Sequence, residues 1–312
     1  MLKGKRLKPG DTIGIIGPSG AVRQAGAVDR AVEFAKGLGF RVKLGESANG
    51  RYGNLSGTDE VRARDLCGMF ADPQVDAIVC TRGGYGTMRI LDMIDFDVIR
   101  ANPKIFVGFS DVTALHIAMF KECGLITFHG PMACTWSEDF PDGFTQKAFY
   151  SAVMDAKPLG ELHNAPGYHE RKTVNPGCAE GILVGGNLTL IAGTLGTPYE
   201  IDTKDRILFI EEIDEHTYCV DRLLTQLRLA GKFDDCAGIV FGDFCDCLIE
   251  YPEFGLTLEE VIRDVAAPCG KPIFTGLQAG HVSPKLTLPL GTRCRMDADA
   301  CSLTVLEAAV TE

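Results

Sequence analysis

No run of residues in this 312-residue chain approaches the ~20 consecutive apolar positions that a helix needs to cross a bilayer. The first nine residues are basic, as the start of a secretion signal would be. The apolar run that follows, residues 13–16, is too short for a signal core and stops at Gly17 and Pro18. A cytoplasmic protein with no membrane partner is expected. A clustered basic face is also missing, and the net charge is −11. Binding a phosphate backbone needs such a face, so no nucleic-acid partner is expected. Phosphate-cradling glycine patterns are absent as well. Residues 82–86 lack the P-loop spacing, and neither they nor residues 14–20 read as the dinucleotide fingerprint. There is no internal repeat and no low-complexity tract, and tryptophan occurs once, at Trp136.

Cysteine, by contrast, is plentiful. Twelve are scattered through strand-like and helix-like runs, and Cys80 and Cys236 sit among apolar neighbours as buried thiols do. Without a secretion signal, a disulfide framework is not the default reading. Cys245 and Cys247 form a close pair but lack a second pair at zinc-finger spacing, so no metal site is expected.

At about 100–200 residues per domain, the length suggests two domains. In the first half, strand-like runs (11–16, 40–44, 75–80, 104–108, 125–129) alternate with helix-like ones (27–38, 58–70, 112–122). That alternation implies an α/β domain with a mostly parallel sheet. Proline, glycine and polar residues concentrate between about 155 and 178, which places the connection at 156–178. The remainder, 179–312, is richer in strand-like runs (181–184, 206–210, 238–241, 273–276, 293–296). Its clearest helices are 218–230 and 258–265, so a β-rich α/β domain is expected.

Ser110 lies in the run VGFSD (107–111), between a strand and a helix. This junction exposes a side chain at the carboxyl end of a parallel sheet, where α/β proteins place their ligands. The helix N-terminus also offers unpaired N–H groups to a developing oxyanion. The arrangement resembles G-x-S-x-G hydrolases without the second glycine. Ser110 can equally be a helix N-cap, assisted by Asp111. The glycines in RGGYG (82–86) let backbone approach a ligand closely, or simply make a tight turn.

A serine nucleophile needs a base, usually a histidine oriented by a carboxylate. His116 is too close to Ser110 along one helix, about 9 Å up the axis at ~1.5 Å per residue. His163 and His169 fall in the expected connection. His129, His216 and His281 end strands or lie in loops and stay open as candidates. The strand 206–212 ends in Glu211 and Glu212, which point to opposite faces, so one of them at most faces a given site.

Taken together, these segments resemble the LD-carboxypeptidase family of serine peptidases, which includes the microcin-immunity hydrolases. The matches are 17–19, 82–86, 108–111, 127–132, 185–188, 196–198, 208–212 with Tyr218 and Arg222, 276–281 and 288–291. They run in family order over nearly the whole chain. The resemblance implies a flavodoxin- or class I glutamine amidotransferase-like N-terminal domain (1–155) carrying the nucleophile, and a β-rich C-terminal domain (179–312). It implies a Ser110–His281–Glu211 triad and an oxyanion hole from the backbone N–H groups of Asp111 and Gly84. Arg82, Gly83 and Tyr85 are the candidate substrate-binding residues. No metal and no cofactor are needed, and a homodimer is expected. The implied activity is release of terminal D-alanine from cytoplasmic murein tetrapeptide. Hydrolysis of peptidyl or aminoacyl nucleotides is the alternative, with Trp136 as a candidate adenine clamp. A non-catalytic ligand-binding protein on the same scaffold is a third reading. Residues 133–142 and 245–255 follow no family pattern and read as loops of the kind that set specificity.

Overall fold

The computed structural model describes residues 1–250 and 253–312. Five strand-like runs of the first half form strands β1 (Thr12–Ile16), β2 (Arg41–Leu44), β3 (Ala77–Cys80), β4 (Ile105–Gly108) and β5 (Thr127–His129). They pair in parallel in the order 2-1-3-4-5, the flavodoxin-like order. β1, β3 and β4 are buried along their whole length, which is why they read as unbroken apolar runs and not as alternating ones. One face packs on the helix Ala27–Gly37 through Val28, Ala31 and Ala35. The other packs on Asp59–Ala71 and Thr113–Cys123 through Leu66, Phe70 and Leu115. The caps are local: the Thr58 hydroxyl accepts from the Val61 N–H, and Gly124, at φ 65°, ends the helix Thr113–Cys123.

The second sheet contains β6 (Gly160–Glu161), β7 (Lys172–Asn175), β8 (Cys178–Asn187), β9 (Arg206–Ile213), β10 (Gly238–Cys245) and β11 (Ile273–Thr275). After β12 (Leu288–Leu290), it is completed by β13 (Arg293–Asp297) and β14 (Ser302–Val305). Its order is β6-β14-β13-β8-β9-β10-β11-β7, with β8 to β11 parallel and the flanking pairs antiparallel. The stretch 156–178, read from composition as a connection, supplies β6 and β7 to opposite edges of this sheet. β12 is not part of it. β12 pairs antiparallel with β5, Leu288 opposite His129, and so closes the edge of the first sheet. A three-residue strand containing Pro289 suits an edge, where a missing N–H costs no ladder bond.

The two sheets meet at the helix that follows Ser110. Ile117 of that helix belongs to the apolar cluster under β8 and β9, while Ala114, Leu115 and Ala118 face the first sheet. The end of β8 abuts the start of this helix, and the Asn187 N–H donates to Thr113 Oγ1 at 3.0 Å. Gly186 makes the approach possible. It has φ 139°, and a Cβ there would lie 2.5 Å from Thr113 Oγ1 and 2.8 Å from its Cγ2. Gly186→Ala is therefore expected to destabilise the fold by about 2 kcal/mol or more. Thermal unfolding should show Tm lower by at least ~4 °C.

Candidate active site

β4 ends at Gly108, whose missing side chain lets Val112 pack close: a Cβ there would lie 2.8 Å from Val112 Cγ1. Phe109 is extended, and Ser110 then adopts φ 65°. For a residue with a Cβ, the left-handed region costs roughly 1–2 kcal/mol, and such strain is held only where the surroundings over-determine it. The chain runs on through a 3-10 turn, Ser110–Val112, into the helix Thr113–Cys123. Neither element has a side-chain cap hydrogen bond, so Ser110 is not the N-cap that its position allowed.

The glycine turn presses on this serine. A Cβ on Gly83 would lie 2.8 Å from Ser110 Cβ, 3.0 Å from its Oγ and 3.3 Å from the Asp111 nitrogen. Gly84 and Gly86 have φ 113° and 123°, conformations that suit glycine. Thr87 fastens the turn. Its N–H donates to Asp111 Oδ2 at 2.9 Å, and its hydroxyl donates to the Asp111 carbonyl. Tyr85 is exposed. Arg82 is half-buried and donates to the Ala21 carbonyl at 3.1 Å. Burial, aided by nearby Arg23, holds its guanidinium below its ordinary pKa.

At the end of β9 the two glutamates separate as strand alternation requires. Glu212 accepts from Asn187 Nδ2 (2.7 Å), the Thr189 N–H and hydroxyl (both 2.8 Å) and the Ile213 N–H (2.9 Å). Burial raises its pKa, opposed by these hydrogen bonds. Glu211, fully buried, takes the other face, and its Oε2 pairs with His281 Nδ1 at 2.7 Å. Gly280 leaves room for this contact: at φ 121°, a Cβ would lie 2.6 Å from Glu211 Oε2. Glu211 Oε1 is buried and makes no hydrogen bond among the described residues.

The loop bearing His281 is held from β10. Its Leu277 N–H donates to the Phe241 carbonyl (3.2 Å), and the Asp243 N–H donates to the Ala279 carbonyl (3.0 Å). The Cys245 thiol lies 2.9 Å from the His281 carbonyl and 3.0 Å from Asp243 Oδ1. Burial pushes this thiol up to about 12, so it is a protonated donor. A register shift between Phe241 and Phe244 bends β10 at this point, as bulges beside functional sites do. The His281 ring meets the Phe109 ring edge-on at 4.9 Å between centroids, so it lies against the residue preceding Ser110. Lys285, buried and paired with Asp139 at 3.3 Å, places its ammonium 4.7 Å from the Phe109 ring centre. Asp243 and Lys285 carried no sequence signal, because their roles arise only from the apposition of the two sheets; Phe109 and Gly280 lie inside family-like segments but carried no role of their own, and Cys245 was read only as half of a close cysteine pair.

The other histidines lack a buried carboxylate partner. His129 is buried against Phe109 and Phe209 with neither ring nitrogen bonded among the described residues, and burial keeps it neutral. His116 bonds Thr127 Oγ1 and the Gly108 carbonyl, both at 2.9 Å. His216 stacks on Tyr218 and His169 on Tyr168, while His163 meets Glu161 at 3.5 Å on the surface. Trp136 is not a clamp. It is 1% exposed, donates to the Pro131 carbonyl at 3.1 Å, and packs on Phe140 and Phe149. Residues 133–142 thus form short helical turns anchored in the core, not a free specificity loop. Of the segment 245–255, residues 251 and 252 lie outside the described residues.

A strained serine at a strand-to-helix turn, preceded by a phenylalanine that packs on a carboxylate-bound histidine, suits a serine-type hydrolase. Residues 13–130 match the LD-carboxypeptidase N-terminal domain and residues 180–296 the LD-carboxypeptidase C-terminal domain. The chain belongs to the LD-carboxypeptidase family. It is 42% identical to a probable murein peptide carboxypeptidase of Bacillus subtilis, over 99% of this chain and 96% of that one. Among solved structures, it resembles MccF in complex with glutamyl sulfamoyl guanosine (TM-score 0.90, 28% identity, all of both chains). It also resembles muramoyltetrapeptide carboxypeptidase from Oxalobacter formigenes (TM-score 0.83, 31% identity, 96% of this chain and all of that one). No helix among the described residues is long and apolar enough to cross a membrane.

Two outcomes are expected from this geometry. Gly83→Ala should displace Ser110 and lower kcat about 100-fold or more, with far-UV circular dichroism unchanged. Burial lowers the His116 pKa from 6.5 to about 4, so the fold holds this ring neutral. Its contribution is complete above pH 6.5 and is lost as pH falls toward 4, on the order of 3 kcal/mol in all. Urea midpoints of wild type and His116→Gln between pH 4 and 7 should show the shallower dependence in the variant.

Proposed function

We propose that this protein is a serine LD-carboxypeptidase that releases terminal D-alanine from cytoplasmic murein tetrapeptide. The observation that carries the reading is the buried Glu211–His281 pair lying against the strained Phe109–Ser110 turn. Ser110 Oγ attacks the scissile carbonyl as His281 Nε2 takes its proton. The Nδ1–H stays on Glu211, which fixes the tautomer and stabilises the imidazolium. The tetrahedral oxyanion is met by the N–H groups of Asp111 and Gly84. Collapse returns the proton from His281 to the leaving amine and frees D-alanine. A water then hydrolyses the acyl-serine by the same proton path. Arg82 takes the substrate's terminal carboxylate, with Gly83 and Tyr85 lining its approach. On this reading the site lies between a first domain ending at residue 155 and a second beginning at 179, in a cytoplasmic homodimer.

The names of the B. subtilis and O. formigenes relatives support a murein substrate. The likeness to MccF supports a second reading, hydrolysis of aminoacyl nucleotides by the same residues. The core position of Trp136 deprives that reading of its expected adenine clamp.

Turnover of murein tetrapeptide and of an aminoacyl sulfamoyl adenosine separates the two. D-Alanine release is expected from the tetrapeptide, and Ser110→Ala or His281→Ala should lower kcat by about 10³-fold or more. Full turnover by Ser110→Ala would falsify the mechanism. Activity confined to the nucleoside would select the second substrate class.

A further inference from the structure

The helix Asp59–Ala71 buries a guanidinium beside the glycine turn, and the reaction scheme makes no use of it. Arg62 is wholly buried. Its Nη1 donates to the Gly86 carbonyl at 2.8 Å and to the Pro18 carbonyl at 2.5 Å. Its Nη2 pairs with Asp59, one turn earlier on the same helix. Asp59 is held in turn by Arg89, whose Nε lies 3.0 Å and Nη2 2.8 Å from Asp59 Oδ2.

The two carbonyls belong to different loops. Pro18 follows β1, and Gly86 closes the turn 82–86 that follows β3. Two residues after Pro18, the Gly20 N–H donates to the Gly83 carbonyl at 3.2 Å. A trans peptide holds its C=O and N–H in one plane, pointing opposite ways. Anchoring the Gly83 carbonyl therefore aims the next N–H, that of Gly84. Arg62 grips both sides of this anchor, the loop that donates and the turn that accepts. Gly83 presses on Ser110, and Thr87, next after Gly86, fastens Asp111. Gly86 admits the guanidinium at close range: at φ 123°, a Cβ there would lie 3.1 Å from Arg62 Nη1.

Stability alone does not call for this arrangement. Taking a guanidinium out of water is costly, and an apolar side chain of similar volume often packs as well or better. What the guanidinium adds is a rigid fork that holds two carbonyls and a carboxylate at fixed angles, whereas a lysine ammonium is a single rotating donor centre.

We propose that Arg62 is a positioning residue: by tying the Pro18–Gly20 loop to the glycine turn, it aims the Gly84 N–H at the oxyanion that forms on the scissile carbonyl. Wholly buried, it touches no substrate and acts through Gly83 and Gly84. Its effect falls on the transition state, where the charge develops, and not on the bound ground state. The inference rests on the serine-peptidase reading and on the Gly84 donor named in it.

The test compares wild type with Arg62→Met, which fills the space without the ties, and Arg62→Lys, which keeps the charge without the fork. Steady-state kinetics on murein tetrapeptide are paired with calorimetric Kd for the same peptide in a Ser110→Ala background. A boronic acid analogue of the acyl peptide supplies the third readout, because its tetrahedral adduct on Ser110 places an oxygen where the oxyanion forms. Arg62→Met should lower kcat at least about 30-fold and weaken boronate inhibition in proportion, with KM and the ground-state Kd within about threefold. Arg62→Lys should lose at least about fivefold in kcat, and it decides the matter if circular dichroism shows Arg62→Met unfolded. A folded variant with kcat within about twofold of wild type overturns the role, even if its Tm falls. So does a loss shared equally by the ground-state Kd, or a fall in kcat with boronate inhibition unchanged. Wild type that neither turns over the tetrapeptide nor binds the boronate sinks the peptidase reading, and this role falls with it.

Discussion

The contact between Gly186 and Thr113 governs the geometry of everything around it. Thr113 begins the helix three residues after Ser110, and Gly186 lies one residue before Asn187, which pairs with Glu211 across β8 and β9. The position of the serine relative to the glutamate is therefore set through a few bonds of rigid secondary structure and one hydrogen bond from Asn187 to Thr113 Oγ1. A methyl group at residue 186 would overlap the Thr113 side chain and force a shift at this junction. Side chains elsewhere tune the site, whereas this missing Cβ determines whether its halves meet.

Burial sets the demands on the remaining groups. A carboxylate as deeply enclosed as Glu211 needs a partner, because an unpaired buried charge is costly. His281 supplies one through its Nδ1. The adjacent Glu212, equally enclosed, is satisfied wholly by the amide and hydroxyl donors of residues 187, 189 and 213. Two neighbouring acids thus diverge in surroundings because a strand sends one toward the His281 ring and the other toward a helix start. The His281 carbonyl is held in turn by the Cys245 thiol, and the Ala279 carbonyl two residues earlier by the Asp243 N–H, both donors in or beside the bent part of β10.

Much of this was legible in the sequence. Strands β1, β3 and β4 of the first sheet read as apolar runs because both faces are covered. The helices Asp59–Ala71 and Thr113–Cys123 announced their ends through Thr58 and Gly124. Leu258–Val265 matched its expected bounds. Ser110 could not be told from a helix cap by its neighbours, because the φ of 65° that separates the two belongs to the folded backbone and has no local sequence mark. Alternation said that one glutamate would face a site but not which, since the choice depends on where the second sheet docks. β6, β7 and β12 were missed because two- to four-residue edge strands show no period, and a proline inside one argues locally against a strand. Trp136 was misjudged because an isolated aromatic in a polar stretch looks the same whether it covers a ligand or plugs a core.

β12 gives the His281 loop two moorings on different bodies. The chain leaves β11 in the second sheet, passes through His281 and, seven residues later, enters β12 in the first sheet. The loop is a tether across the cleft, and its histidine rides at mid-span. Any parting of the sheets would draw on this tether before disturbing either core, pulling the imidazole from its carboxylate or from the serine's turn. The spacing of the two sheets and the seat of the His281 ring are in that sense one coordinate.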